Sequence, residues 1–282
     1  MQIIKEIFKQ YFQSNITQIK SLHGGSINQV FLVKNKQSKY VIKINDKNAF
    51  QGMFEKEARG LEILRKSNFK IPAVLKHGEM ENTSYIILEY IAPGRNIDWG
   101  LFGSKIAHLH QNSNDYFGLD HDNYIGSLKQ KNTNKKTWAE FYEQVRIMPL
   151  VQRSFDLSLF NKKEMQMAEK FCKNLPDLLP VENPSLIHGD LWSGNIISDK
   201  KGEPVLIDPA VYYGFREMDF AMLNLFGSVP SKSIEEYENI YPLCKGWEKR
   251  TDINQLYPLL VHLILFGNSY KHSVVQTVKK YC

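Results

Sequence analysis

Three polar side chains stand at fixed intervals beside short apolar runs of the chain. Asp190 follows a His-Gly pair, Asn195 comes five residues later, and Asp208 comes thirteen residues after Asn195. Short β-branched runs at 196–197 and 205–207 enclose a polar turn between Asn195 and Asp208. The pattern predicts a two-stranded ribbon that brings Asn195 and Asp208 to one end, directly after a loop that carries Asp190.

The residue types at these positions suit phosphate transfer. An aspartate can accept a proton from a hydroxyl group, and asparagine and aspartate oxygens are hard ligands of the kind that Mg²⁺ prefers. The two intervals are those of a kinase catalytic loop followed by a metal-binding aspartate. We therefore predict that Asp190 is catalytic and that Asn195 and Asp208 bind Mg²⁺. A helix-capping turn explains either half of the pattern, but it does not explain both intervals together.

Residues upstream supply the parts of an ATP site in the order that a kinase requires. A glycine-bearing turn lies between the first two strand patterns, where glycines let the backbone approach phosphates; it contains Gly24, Gly25 and Ser26. Lys43 lies within the next β-branched run, which is the place of the lysine that contacts ATP phosphates in kinases. Each signal alone is weak, but their order favours ATP binding by all four residues.

Two more elements complete the predicted ATP site. A carboxylate on the following helix should hold Lys43, and helical geometry favours Glu57 over Glu55 for this role. The last strand of the N-terminal region should end in a hinge whose backbone groups at Glu89 and Ile91 contact adenine. A plain buried strand is compatible with the second interpretation.

The order of strand and helix patterns predicts an α+β, two-lobed protein-kinase-like fold. Strands are expected at 16–22, 30–33, 40–44, 74–77 and 85–90, with helices at 1–13 and 49–66. Helical patterns dominate after Pro93 and Gly94, at 103–111, 138–150, 163–175, 220–226 and 256–279, with a β ribbon at 196–207. We predict a small antiparallel β lobe with one helix for ATP binding, residues 1–92, and a larger, mainly helical lobe for catalysis and substrate, residues 93–282.

Charge and composition narrow the function further. Lys and Arg total 36 against 30 Asp and Glu, and the net charge of +6 suits an anionic ligand such as a nucleotide. The lysines at 129–136 have no interleaved aromatic residues, so we expect no nucleic-acid partner. Three widely spaced cysteines predict neither disulfides nor a zinc site. The most apolar stretch, 256–266, is too short to span a bilayer, so we expect a cytoplasmic protein without a membrane partner.

The segment after Asp208 indicates a small phosphate acceptor. Only ten residues separate Asp208 from Asp219, and they contain no Ala-Pro-Glu motif, so a platform for a peptide substrate has no room. Trp192 stands two residues past Asp190, where its flat face could contact sugar C–H groups or simply anchor the core. Asp219 could pair with a cationic substrate, although a hydrogen bond to the catalytic-loop backbone is the favoured interpretation.

The stretch 188–195, His-Gly-Asp-Leu-Trp-Ser-Gly-Asn, resembles the signature of the fructosamine kinase (ketosamine-3-kinase) family, one of the aminoglycoside phosphotransferase-like kinases. Further blocks resemble the family in order, at 24–28, 54–61, 117–126, 138–146, 208–210 and 216–219. The resemblance implies ATP-dependent phosphorylation of the sugar 3-hydroxyl of ketoamines. It also implies that the product breaks down and frees the amine, which repairs glycated proteins or metabolites.

The chain departs from the family pattern at two positions. Ser26 stands where some relatives have Cys, so redox control at that position is not expected. Gln144 stands where bacterial relatives often have Glu, which weakens any substrate contact inferred there. The resemblance suggests the block 118–126 together with Trp138 as the wall of the sugar site. The roles of Arg216, Glu217 and Gln144 stay open, as do the preferred ketoamine and the oligomeric state.

Two other functions compete with ketoamine phosphorylation. A kinase of the same fold could act on an aminoglycoside, choline or homoserine, but an aminoglycoside pocket should be acidic and the chain carries a net charge of +6. A catalytically inactive nucleotide-binding scaffold should have lost one of its central residues. All four are present in this chain: Lys43, Asp190, Asn195 and Asp208.

Overall fold

The computed structural model describes three stretches of the chain: 1–12, 14–22 and 27–282. They form two compact units. The first comprises Met1–Asp98 and Gly194–Pro209, so the chain leaves this unit and later returns to it. The second comprises Trp99–Ser193 and Ala210–Cys282. The sequence pattern does not predict the return of the chain, and the lobe boundary after residue 92 stays a prediction.

The strands and helices are numbered in chain order. The strands are β1 (Gln18–Leu22), β2 (Gln29–Lys34), β3 (Lys39–Asp46), β4 (Val74–Met80), β5 (Thr83–Glu89), β6 (Asn123–Ile125), β7 (Leu128–Gln130), β8 (Ser185–Ile187), β9 (Ile196–Ser198), β10 (Pro204–Leu206) and β11 (Tyr212–Gly214). The α-helices are α1 (Gln2–Tyr11), α2 (Met53–Arg65), α3 (Trp99–His110), α4 (Trp138–Phe141), α5 (Met148–Asp156), α6 (Lys162–Leu178), α7 (Glu217–Leu225), α8 (Ser231–Ile240), α9 (Thr251–Phe266) and α10 (Lys271–Tyr281).

The first unit is built on an antiparallel sheet of strand order β1-β2-β3-β5-β4. One apolar stripe of α1, formed by Ile4, Ile7 and Phe8, packs against buried side chains of the sheet such as Val33 and Ile42. The second helix, α2, buries its apolar positions at helical spacing. The ribbon β9–β10 completes the unit.

The second unit is mainly helical. It also contains two antiparallel strand pairs, the hairpin β6–β7 and the pair β8–β11. A π-helical turn at Tyr142–Ile147 joins α4 to α5, so the helical pattern predicted at 138–150 extends to Asp156. The predicted α+β architecture, with an antiparallel sheet followed by helices, is confirmed.

Several elements differ from the sequence prediction. The helix predicted at 256–279 is two helices, because the chain turns at Gly267, whose φ of +86° favours glycine. Helix α8 and the strand pairs β6–β7 and β8–β11 were not expected. Strands of three residues are too short to display an alternating pattern, so periodicity does not reveal them. Among the described residues, no helix combines the length and the apolarity that crossing a bilayer requires.

Candidate active site

A buried lysine lies at the centre of the sheet in the first unit. Lys43 occupies β3 between β2 and β5, and only 5% of its surface is exposed. Its Nζ donates to Glu57 Oε1 over 2.8 Å and also to the carboxylate of Asp208. Glu57 comes from α2 and Asp208 follows β10, so three elements distant in sequence bring one cation and two carboxylates together. Glu55, the less favoured candidate partner, lies exposed in the first turn of α2.

Charge and burial oppose each other in this cluster. Burial alone would lower the pKa of Lys43, but the charges of Asp208 and Glu57 outweigh it and hold that pKa above its usual value. Burial raises the pKa of Glu57, and the adjacent Lys43 ammonium only partly offsets this effect. Lys43 is therefore a permanent cation in the physiological range, held in place from two sides.

The ribbon β9–β10 brings Asn195 and Asp208 to one end, as its spacing predicts. Leu206 pairs with Ile196, and the Ile207 N–H donates to the Asn195 carbonyl over 3.1 Å. Asp208 has a φ of +55°, in the left-handed region, and its side chain is 43% exposed. The turn after the ribbon thus leaves part of the Asp208 carboxylate accessible while Lys43 holds the rest.

The donor set at this end of the ribbon fits magnesium. Mg²⁺ takes hard oxygen ligands and is usually held by one or two protein side chains together with substrate phosphates. An amide oxygen and a partly exposed carboxylate satisfy that requirement. Within the described residues, no group of three or more His, Cys, Asp or Glu side chains is arranged to hold a metal without such help.

The loop that carries Asp190 lies in the second unit and is held by Asp219. The buried Asp219 carboxylate accepts the N–H of His188 over 2.8 Å and the N–H of Gly189 over 3.0 Å. The Asp190 N–H in turn faces His188 Nδ1 at 3.3 Å. Because Asp219 is 1% exposed, the structure favours the backbone-holding interpretation over a contact with substrate.

A buried histidine, His110, contacts Asp219, and the sequence pattern did not predict it. His110 Nε2 lies 3.2 Å from Asp219 Oδ2, and its Nδ1 lies 3.0 Å from the Tyr237 hydroxyl. Neither His110 nor Tyr237 belongs to a recognisable motif, and their burial depends on α3 and α8 packing together. No local signal in the sequence could have identified them.

The two tryptophans proposed for the sugar side occupy different environments. Trp192 is partly exposed and lies edge-on to Phe226, with ring centroids 6.3 Å apart. Trp138 is buried and stacks on Phe141 and Tyr142 in the core. The block 118–126 likewise buries its strand β6. The geometry therefore supports Trp192 as a surface for substrate and places Trp138 in the core.

The residues whose roles were open are engaged within the second unit. Arg216 forms a two-pronged ion pair with Glu182, at 2.9 and 2.5 Å, and Glu217 forms another with Arg250, at 3.0 and 2.5 Å. Burial raises the pKa of Glu217 despite the opposing charge of Arg250. Gln144 is exposed and accepts a hydrogen bond from a lysine side chain. All three have intramolecular roles here.

The predicted hinge and phosphate loop complete the survey of site residues. Glu89 ends β5, and its N–H donates to the Ala73 carbonyl over 2.8 Å, so a contact from Glu89 to adenine would use its own carbonyl oxygen. Ile91 follows and is buried. The turn of Gly24, Gly25 and Ser26 lies outside the described residues, between the adjacent strands β1 and β2.

Comparison with known proteins gives a consistent result over the whole chain. The model of the fructosamine kinase family matches residues 1–282. A relative from Enterococcus faecium that carries the name ketoamine kinase is 37% identical over 260 residues, which cover 92% of this chain and 93% of the relative. A rice protein named protein-ribulosamine 3-kinase, chloroplastic, is 36% identical over 95% of this chain and 80% of its own length.

A solved structure agrees with these sequence relatives. The crystal structure of a protein from Thermobifida fusca, described as a putative fructosamine-3-kinase, aligns with a TM-score of 0.87 at 30% identity. The alignment covers 99% of this chain and 98% of the other. The predicted protein-kinase-like fold class is thereby confirmed.

Proposed function

Because the chain belongs to the fructosamine kinase family, we propose that Asp190, Lys43 and Asp208 are the central residues of a ketoamine kinase. The activity is ATP-dependent phosphorylation of the sugar 3-hydroxyl of ketoamines. The observation that carries the assignment of residues is the buried Lys43 held between Glu57 and Asp208. A buried cation with two carboxylate partners suits phosphate binding in kinases.

In this proposal the first unit binds the nucleotide. Lys43 contacts the phosphates of ATP, and Glu57 keeps the ammonium in place, as its 2.8 Å contact indicates. The turn of Gly24, Gly25 and Ser26 covers the phosphates, while backbone groups at Glu89 and Ile91 contact adenine. We further propose that residues 1–92 act as the ATP lobe and residues 93–282 as the substrate lobe.

Asp190 acts on the acceptor. The sugar 3-hydroxyl oxygen forms a bond to the γ-phosphorus, the bond from that phosphorus to the β–γ bridging oxygen breaks, and ADP leaves. The hydroxyl proton passes to the Asp190 carboxylate, which also orients the hydroxyl before attack. Asp219 keeps Asp190 in place by holding the backbone of the two preceding residues.

Asn195 and Asp208 would hold magnesium in this scheme. The ion neutralises negative charge on the β- and γ-phosphates when it is bound. The donor set fits it, since one ligand is an amide oxygen and the other a carboxylate at the end of the same ribbon.

In this proposal an apolar surface beside Asp190 binds the sugar of the ketoamine. Trp192 is partly exposed two residues past Asp190, and Phe226 beside it is 37% exposed. Flat aromatic rings suit the C–H faces of a sugar. The amine of the ketoamine can then belong to a small molecule or to a protein side chain. Phosphorylation at the 3-position leads to breakdown of the adduct and frees the amine.

The proposed setting for this activity is the cytoplasm. Cys172, Cys244 and Cys282 are free thiols, which suits a reducing compartment. Burial raises the pKa of Cys172 to about 12, so this thiol is protected from oxidation.

The decisive experiment measures ATP consumption with Mg²⁺ on ribulose-, erythrulose- and fructose-lysine, with an aminoglycoside and choline as alternative acceptors. Asp190→Ala should lower turnover by roughly 10²–10⁴-fold while ATP still binds in calorimetry. Asp156→Ala, at an exposed aspartate of α5, is the matched control and should keep full turnover. Turnover confined to an aminoglycoside or choline would contradict the proposed substrate, and full turnover in Asp190→Ala would contradict the catalytic assignment.

A further inference from the structure

A group of buried amide side chains lies in the second unit, partly within and partly just after the block 118–126 that the family resemblance suggested as a sugar-binding wall. Asn123 and Gln130 come from the hairpin β6–β7, and Asn132 follows it; their exposed fractions are 5%, 2% and 1%. Gln130 Nε2 donates to Asn123 Oδ1 over 2.7 Å, and Asn132 Nδ2 donates to the same oxygen over 3.1 Å. We call these three residues the amide cluster.

The amide cluster holds the backbone that follows the proposed magnesium ligand Asp208. Gln130 Nε2 also donates to the Ala210 carbonyl over 3.1 Å. Asn123 Nδ2 donates to the Val211 carbonyl over 2.8 Å. Two successive carbonyl groups are therefore fixed by side chains of one hairpin, beyond the hydrogen bonds of the strand pair β8–β11.

The same backbone is in direct contact with the loop that carries Asp190. The Ala210 N–H donates to the His188 carbonyl over 3.0 Å. Gly189 has a φ of +80°, and a Cβ built on it would lie 2.2 Å from the Ala210 oxygen. The Ala210 carbonyl is thus packed against Gly189 on one side and bonded to Gln130 on the other, which leaves the peptide little freedom.

Two further residues donate hydrogen bonds to the amide cluster. The Tyr257 hydroxyl of α9 donates to Gln130 Oε1 over 2.7 Å, so both ends of the Gln130 amide are engaged. Arg146 donates to Asn132 Oδ1 over 2.7 Å, and its guanidinium lies 4.1 Å from the centre of the Tyr212 ring. Arg146 itself is 1% exposed.

Burying amides and a guanidinium costs free energy unless they are hydrogen-bonded, and apolar side chains would avoid this requirement. The buried amide cluster and Arg146 therefore indicate a task that apolar packing cannot perform. Apolar side chains of similar volume would fill this space, but they would not fix the direction of the Ala210 and Val211 carbonyls. Direction matters here because a displacement of about 1 Å at a reacting group can cost roughly 10²-fold in rate.

We propose that Gln130 is a positioning residue, which holds the Ala210 peptide against Gly189 and thereby fixes the Asp190 loop for catalysis. Asp219 holds this loop by accepting the N–H groups of His188 and Gly189. Gln130 holds it indirectly, by fixing the Ala210 peptide that packs against the loop. The inference rests on the proposed function in so far as Asp190 is the catalytic residue.

The test compares Gln130→Leu with Asn161→Ala. Leucine keeps most of the volume of Gln130 but donates nothing to Ala210, whereas Asn161→Ala removes the capping box of α6 and affects stability without touching the amide cluster. Gln130→Leu should lower kcat by roughly 10- to 100-fold and leave KM for ATP within about twofold of wild type. Amide hydrogen exchange at residues 188–190 and 210 should accelerate in Gln130→Leu and stay unchanged in Asn161→Ala.

Each result bears on the proposal separately from the proposed function. If the wild-type protein fails to phosphorylate any ketoamine, the proposed function fails, but the exchange measurement still tests whether Gln130 holds the loop. Unchanged exchange at these residues, or a kcat within about twofold of wild type, would overturn the proposal. Should Gln130→Leu fail to fold, Tyr257→Phe removes one hydroxyl and should lower kcat about threefold at constant KM for ATP; full kcat there would also overturn it.

Discussion

Two lysine–aspartate ion pairs fasten the ribbon segment 194–209 to the rest of the first unit, and they differ in which partner is buried. In the Lys43–Asp208 pair the lysine side chain is 6% exposed and the aspartate side chain 43%. In the Lys70–Asp199 pair, whose charged atoms lie 2.8 Å apart, the lysine side chain is 36% exposed and the aspartate side chain 11%. The residue types and the fastened segment are the same, so the comparison shows what burial of the lysine adds.

The Lys70–Asp199 pair shapes a turn. Asp199 accepts hydrogen bonds from Lys70 Nζ and from the N–H groups of Lys201 and Glu203, and these lower the pKa of Asp199 to about 2. Its backbone packs so closely against Gly94 that a Cβ there would lie 2.0 Å from the Asp199 oxygen. These contacts hold the β9–β10 turn in place, and none of them requires a buried lysine.

Lys43 is a buried charge that the fold alone does not require. Lys43 has a second carboxylate partner, Glu57, at 2.8 Å. Replacing buried ion pairs by apolar side chains is often neutral or stabilising, so a buried lysine with two acidic partners indicates a function beyond stability. The comparison therefore supports the proposed phosphate-binding role of Lys43 and is consistent with a structural role for Lys70.

The largest effect that separates the two pairs is expected from removing each lysine. Lys43→Met should lower kcat/KM for ATP by roughly 10²–10³-fold, because methionine fills the space but supplies no charge to the phosphates. Lys70→Met is the matched control and should keep kcat/KM within about twofold of wild type. Steady-state kinetics with a fixed ketoamine concentration measures both values. Equal losses in the two variants would show that both lysines act through the fold.

A smaller effect is expected from the second partner of the buried lysine. Glu57→Gln removes one of the two negative charges beside Lys43 and keeps the size of the side chain, so the ammonium stays charged through Asp208 but loses part of its positioning. We expect kcat/KM for ATP to fall about tenfold, which corresponds to about 1.4 kcal/mol of transition-state stabilisation. Glu55→Gln, on an exposed face of the same helix, should leave kinetics unchanged. A larger loss in Glu55→Gln than in Glu57→Gln would reverse the assignment of partners.

The two pairs also mark how far sequence reasoning reaches. Lys43 could be singled out because it follows the glycine-bearing turn in the order that a kinase requires, and the helical pattern after it points to Glu57. Asn195 and Asp208 could be joined because a polar turn separates two short apolar runs. Lys70 and Asp199 have no such context, since their pairing depends on the return of the chain to the first unit.

The second unit was harder to predict for a related reason. Gln130 and Asn123 look like surface residues of a polar segment, and only tertiary packing buries them. The break at Gly267 did have a local sign, because glycine after an apolar helical stretch is a common stop, but the apolar pattern that resumes in α10 masks it. Trp138 differs from Gln130 and Asn123, because the family resemblance suggested a substrate contact for it. Its ring instead stacks on aromatic side chains in the core.

The smallest expected effect concerns the acid stability of the Lys70–Asp199 pair. Because the folded pKa of Asp199 is about 2, below the ordinary value of about 3.8, its charge stabilises the fold above about pH 4 and this contribution disappears as the pH falls towards 2. Asp199→Asn keeps an oxygen for the N–H groups of Lys201 and Glu203 but loses the charge that holds Lys70. The urea midpoint of the variant should lie below that of wild type by about 0.2 M at pH 6, and the gap should narrow at pH 3. Kinetics should stay within about twofold of wild type, since this pair lies outside the proposed ATP contacts. A gap that widens towards pH 3 would mean that the carboxylate is protonated more readily in the folded chain than in the unfolded one. The Lys70–Asp199 pair would then not be the stabilising contact that its geometry indicates.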